Sequence, residues 1–153
     1  MAVIKATGQK DPHIRLLREL QTQDGRERAG LYFAEGLELV RRAFDYGGRV
    51  HSLLLTDRWA ESPEAANLLE RAAAAGVPAV AAGAGLLSKI LEAKPTPDCL
   101  AIVERRVATL ADVLAAECPL VQIVERGENA DNLGMLLRSA EAAGVNDVNL
   151  IDT

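Results

Sequence analysis

Along this chain the spacing of hydrophobic positions switches repeatedly between short continuous runs and a period near 3.6, which predicts strands alternating with helices. Asp11-Pro12 opens a helix whose Ile14, Leu17 and Leu20 share one face. Arg15 and Arg18, three residues apart, then lie together on its exposed side. The segment QTQDGRERAG has no apolar stripe and reads as a polar, charged loop. Leu31-Tyr32-Phe33-Ala34 reads as a short strand running into Glu35-Gly36. A helix over residues 37–46 follows, with Leu37, Val40 and Phe44 on one face, stopped by Gly47-Gly48. Residues 50–55 read as a buried strand. Pro63 opens a helix through Ala75, closed by Gly76, and residues 77–80 form the next strand. A short helix over 84–91, a loop KPTPDC and a strand over 100–103 complete this part.

Beyond it the spacing predicts a short helix over 110–116, and the domain boundary falls here, giving 1–106 and 107–153. Residues 120–124 read as a strand, GENADN as a loop, 133–143 as a helix closed by Gly144, and 148–151 as a second strand. Asp131 or Asn132 is the expected N-cap of that helix. Leu133, Leu136 or Leu137, and Ala140 form its buried stripe, and Gly134 permits a close approach. The alternation defines an α/β protein. A lone β-α-β cannot bury both faces of a parallel pair, so another part of the protein or a partner must cover it.

Aromatic residues are 3% of the chain, so its core must be built from Leu, Val, Ile and Ala. No run approaches the roughly 20 apolar residues of a membrane span, and no secretory leader opens the chain, which predicts a cytoplasmic protein without membrane contact. Cys99 and Cys118 have no CxxC spacing and no His nearby, so they read as reduced, buried thiols. His13 and His51 are isolated, and no metal site is expected. Net charge is −5, yet residues 1–50 carry nine Lys and Arg against seven acids. A basic front on an acidic body is compatible with a nucleic-acid partner and equally with a solvated helical surface.

Other chemistries find little footing. Gly83-Ala84-Gly85 begins like a dinucleotide fingerprint, but Ser88 stands where Gly or Ala is needed. Neither a phosphate-binding loop nor a nucleophile elbow is present. Trp59 and Tyr46 are too few for a base-stacking platform.

The stretch from Glu125 to Gly144 leaves a buried strand, crosses a polar loop and enters a helix, the place where open α/β sheets bind ligands. Arg138 stands seven residues after Asp131, nearly on the same side of the helix, although on spacing alone an exposed pair with Glu141 is the plainer account of it. Asn132, Gly134, Arg138, Ala140 and Gly144 resemble the first signature motif of the SpoU (TrmH) family of RNA ribose 2′-O-methyltransferases, with Asn129-Ala130-Asp131 in place of that family's usual Asp-Pro step. Arg28, Tyr32-Phe33-Ala34, Glu35-Gly36 and the following helix are similar to the same family's substrate-binding domain.

The resemblance implies a ribosomal-protein-like α/β domain that grips structured ribosomal or transfer RNA, followed by the first β-α-β of an α/β-knot (SPOUT) methyltransferase domain. It implies S-adenosylmethionine as methyl donor and a homodimer. Arg138 would act on the reacting ribose, because a 2′-hydroxyl is a poor nucleophile whose developing alkoxide needs a cation or base. Asn132 would orient the loop or ribose. Arg28 first, then Arg15, Arg18, Arg41 and Arg42, would contact phosphates, which give affinity without sequence information. Glu35 would cap or brace its own helix. The family's later motifs, and with them the cofactor pocket and dimer surface, would lie beyond Thr153, so this stretch alone would be inactive. The alternative is a non-catalytic RNA-binding or ribosome-associated protein.

Overall fold

In the computed structural model, which describes residues 3–115, 117–126 and 129–151, the run Leu53-Leu54-Leu55 is buried without a break. It belongs to the first of two units into which the chain divides, Met1–Arg105 and Arg106–Thr153. Among the described residues the first unit forms one five-stranded sheet of order β1-β4-β3-β5-β2. Its strands are β1 (Ile4–Lys5), β2 (Leu31–Glu35), β3 (Val50–Thr56), β4 (Ala79–Ala82) and β5 (Cys99–Glu104). Strands β1, β4 and β3 run parallel, while β5 is antiparallel to both β3 and β2.

Alternation along β3 sends its leucines to opposite faces, and each face carries a core. Leu54 packs with Val80, Leu100 and Ile102 beneath Ile14 and Leu17 of α1 (Pro12–Glu19) and the adjoining Leu20. Leu53 and Leu55 pack with Ala101 and Val103 beneath Val40 of α3 (Leu37–Asp45) and Leu68 and Ala72 of α5 (Pro63–Ala74). A central strand covered on both sides must read as a continuous apolar run, which is why it was visible in the sequence. Burying each leucine contributes about 1.5–3 kcal/mol.

The segment QTQDGRERAG departs from its expected loop. Helix α2 spans Gln23–Ala29, opened by Thr22, whose hydroxyl accepts from Gly25 N–H at 3.1 Å, and closed by Gly30 in the left-handed region at φ 63°. Arg26 Nη1 donates to the carbonyls of Leu20 and Gln21, 2.9 and 3.2 Å away, satisfying oxygens that the end of α1 leaves open. A Cβ on buried Gly25 would strike the Glu19 carbonyl, so only glycine lets α2 settle on that corner. Tertiary fit and caps make this helix, not an apolar stripe.

Smaller elements also differ from expectation, among them the unpredicted two-residue β1. Helix α4 (Asp57–Ala60) follows β3 directly, capped by Thr56, and α6 is a single turn, Ala84–Leu87. Strand β4 starts later than predicted, at Ala79, because Val77 N–H still bonds back to Ala72 at the end of α5.

The second unit holds α7 (Leu110–Leu114), β6 (Val121–Glu125), α8 (Ala130–Ala142) and β7 (Asp147–Ile151). Thr109 and Asp112 form a reciprocal capping box on α7, and the hydrogen bonds from Thr109 hold the Asp112 carboxyl below its ordinary range. Strands β6 and β7 pair in parallel, Val121 opposite Asp147 and Glu125 opposite Ile151. Ile123 is 67% exposed, and Leu150 and Ile151 are exposed as well. Ala116, Gly127 and Glu128, expected in the short helix and the later GENADN loop, lie outside the described residues. Among the described residues no helix is long and apolar enough to cross a membrane.

Candidate functional site

Three of the expected phosphate contacts meet in one place. Arg15 and Arg18 stand on the exposed side of α1, where their spacing put them, and Arg28 reaches them from α2. With Pro12, Leu16 and Glu19 they line an open groove of about 600 Å³. Arg28 Nε donates to Glu19 Oε1 at 3.0 Å, an exposed pair that holds the guanidinium at the groove. Glu19 was not anticipated; it faces Arg28 across a corner nine residues of chain apart, which no helical spacing indicates.

The two remaining arginines lie elsewhere. Arg41 and Arg42 are exposed on α3 and line none of this groove. Arg42 Nε bonds to Glu38 Oε1 at 2.9 Å, one turn back on its own helix. Arg41 lies near enough to Cys99 to pull its thiol's pKa down, but burial first and the charge of Asp98 second win, and the thiol is pushed up to about 11. Cys99 and Cys118 are both free thiols; Cys99 is buried as expected, whereas Cys118 is exposed, since it sits in the connection before β6 rather than in a strand.

Glu35 does not cap its helix. The N-cap of α3 is Gly36, at φ 87°, and no side chain bonds to the first turn. The Glu35 carboxyl instead lines a cleft with Glu92, Gln21 and Arg26, where burial first and the like charge of Glu92 second raise its pKa.

In the second unit the loop after β6 turns sharply at Arg126, a non-glycine residue at φ 54°, whose N–H bonds to Ile151 O at 3.0 Å. The cap of α8 is Asn129, not Asp131 or Asn132: its Oδ1 accepts from Asn132 N–H at 2.9 Å. The helix therefore begins at Ala130, three residues earlier than the spacing predicted. Asn132 lines a cleft of about 240 Å³ with Arg126, Asn129, Glu125, Val124, Leu133 and Leu136. Arg138 is not among the lining residues. Its Nε bonds to Gly134 O at 3.1 Å, one turn back, and it makes no ion pair with Glu141 among the described residues. A Cβ on Gly134 would meet nothing within 4 Å, so the close approach expected there is not made by any described residue. Ala140 is buried as predicted, but Leu137 is 40% exposed, leaving Leu133 and Leu136 as the half-buried part of the stripe. Among the described residues no group of three His, Cys, Asp or Glu is arranged to hold a metal.

The first unit is a sheet flanked by helices with a basic groove at one corner, and the second is a strand–loop–helix–strand, so both are α/β in build. Residues 11–101 match the MRM3-like substrate binding domain, and the chain belongs to that family. Among solved structures it is similar to the SpoU methyltransferase AviRb from Streptomyces viridochromogenes, at 25% identity and a TM-score of 0.68 over 89% of this chain and 49% of that one. It also shares the fold of an AdoMet-bound rRNA methyltransferase from Sinorhizobium meliloti, with 24% identity, TM-score 0.79, and 99% and 55% of the two chains covered. An RNA 2′-O ribose methyltransferase matches over 99% of this chain and 56% of its own, at 22% identity and a TM-score of 0.69. The chain thus spans about half the length of the structures it resembles. No curated protein sequence matches it.

Proposed function

We propose that this chain is the RNA-binding front, plus the opening β-α-β of the catalytic domain, of an S-adenosylmethionine-dependent ribose 2′-O-methyltransferase of the SpoU family acting on structured ribosomal or transfer RNA. The observation that carries this reading is the joint placement of two features in family order. A groove holding Arg15, Arg18 and Arg28 lies within the substrate-binding segment, and a strand–loop–helix with Asn132, Gly134 and Arg138 follows it. On this reading the domain boundary falls near residue 106, and the whole enzyme is a homodimer of the cytoplasm.

The residues divide the labour. Arg15, Arg18 and Arg28 neutralise phosphates and fix the register of the RNA. Asn132, at the mouth of the second unit's cleft, orients the ribose. Arg138 supplies the positive charge that stabilises the 2′-oxyanion as its proton passes to solvent water, once its side chain turns away from the Gly134 carbonyl. S-adenosylmethionine supplies the methyl group. The cleft beside Asn132 does not fit it: at about 240 Å³ it is smaller than the roughly 300–1,000 Å³ typical of small-molecule sites. No step is therefore assigned through it, and this stretch by itself binds RNA without methylating it.

The intact mass of the native protein from its source cells tests the reading. A mass well above 16.3 kDa, with methyl transfer to RNA that Arg138→Ala abolishes, is the expected result. A native mass equal to this chain would replace the enzyme with an RNA-binding protein.

A further inference from the structure

Helix α2 has two sides, and only one belongs to the basic groove. Arg28 lines that groove. Gln23, Arg26 and Glu27 sit at positions i, i+3 and i+4, so they share another side, with Arg26 about 200° and Gln23 about 140° around the helix from Arg28. These three wall a second cleft, of about 290 Å³, that Tyr32 and Arg105 complete.

Tyr32 comes from the edge strand β2 and is 41% exposed. Its neighbours Leu31 and Phe33 point to the opposite face and pack on the core, so the fold does not need an aromatic ring at Tyr32. Val103 lies across the strand from Tyr32, and Arg105 follows two residues later, anchored by its N–H to Gly30 O at 2.8 Å. Arg26 commits its guanidinium to the carbonyls of Leu20 and Gln21 and serves as wall. Gln23 Nε2 donates to Glu27 Oε1 at 3.0 Å, which fixes an amide–carboxylate pair at the rim. An accessible ring, an adjacent guanidinium and a polar rim suit one planar, hydrogen-bonding ring system with a phosphate attached, left partly in solvent.

We propose that this cleft takes one unpaired nucleobase of the RNA whose backbone lies in the Arg15–Arg18–Arg28 groove. The base stacks on the Tyr32 ring, its phosphate meets Arg105, and the Glu27 carboxylate accepts from an exocyclic amino group. Helix α2 is then the wedge between backbone and looped-out base. The inference rests on the RNA-binding reading of the first unit and adds a preference for looped over fully paired RNA, since only an unstacked base can enter.

Fluorescence anisotropy of the 153-residue chain tests it with two labelled probes, an RNA hairpin with an unpaired loop of mixed sequence and a blunt duplex of the same stem. Tyr32→Ala is expected to weaken hairpin binding roughly ten-fold, the scale of a lost base–aromatic stack, and to leave duplex binding unchanged. Tyr32→Phe keeps the ring and should bind the hairpin like the parent. The base site is overturned if Tyr32→Ala binds the hairpin normally, if both probes weaken in step, or if Tyr32→Phe is as damaging as Tyr32→Ala. Failure of the two ideas separates cleanly. If the parent chain binds neither probe, the RNA-binding reading falls as well; if Arg28→Ala weakens both probes while Tyr32→Ala weakens neither, only the base site falls.

Discussion

Arg28 and Glu19 face each other across the corner between α1 and α2, Nε to Oε1 at 3.0 Å, with 70% and 40% of their side chains exposed. An exposed pair of this kind is worth roughly 0–1 kcal/mol, so it orients the arginine more than it holds the fold. It also places a carboxylate where the RNA backbone would lie. Glu19→Gln should leave the thermal midpoint nearly unchanged and tighten RNA binding a few-fold at low salt. Calorimetry and a binding titration check the two halves, and weaker binding would mean that Glu19 positions Arg28 rather than competing with RNA.

The five arginines singled out in the sequence should separate into two groups by salt dependence. Each phosphate contact contributes about one unit to the slope of log affinity against log salt. Arg15→Ala, Arg18→Ala and Arg28→Ala should each flatten that slope by about one. Arg42→Ala should change it little, because Arg42 lies on α3 outside the groove and is already paired with Glu38. Equal effects at all five positions would point to a diffuse field instead of a groove.

Gly25→Ala should destabilise the first unit by about 1–3 kcal/mol, the usual cost of forcing an extra carbon into a filled site. The added methyl meets the Glu19 carbonyl, so α2 must lift from the end of α1. Chemical denaturation measures the loss, and RNA affinity should fall with it, because α2 carries Arg28 into the groove.

The two thiols should differ sharply toward a thiol reagent near pH 8. Exposed Cys118 reacts at once; Cys99, with its pKa pushed up to about 11 and its sulfur buried, reacts only as the unit opens. The same shift carries a pH signature. The folded thiol binds its proton more tightly than the ordinary value of 9.0, so its contribution is complete below pH 9 and lost as pH rises through about 11. Cys99→Ala should flatten the stability curve in that alkaline window.

Most strands and helices are legible because burial on one or two faces leaves a periodic record, as in Leu53-Leu54-Leu55 or in Ile14 and Leu17; the two-residue β1, exposed at both positions, leaves none. Helix α2 left none: its seven residues bury only a glycine, and its caps and the Arg26 bonds to α1 become visible only when both helices are in place. The cap of α8 is hidden in the sequence for a different reason. Asn129, Asp131 and Asn132 are all able to cap, and what selects Asn129 is its extended backbone, φ −97° and ψ 111°. The pairing of Arg15 with Arg18 follows from spacing, but the arrival of Arg28 in the same groove, and the separation of Arg41 and Arg42 from it, depend on how helices meet. Arg138 falls within α8, while the direction of its side chain toward Gly134 has no trace in spacing.

The unequal covering of the two sheets sets a hierarchy of motion. Strand β3 is sealed between two cores, whereas β6 and β7 leave Ile123, Leu150 and Ile151 in water. Backbone amides of Leu53, Leu54 and Leu55 should exchange with deuterium only when the whole first unit unfolds, and those of Val121–Glu125 should exchange orders of magnitude sooner. Whatever comes to lie on β6 and β7 would then act as a folding partner, converting a loosely protected strand pair into a slow-exchanging one.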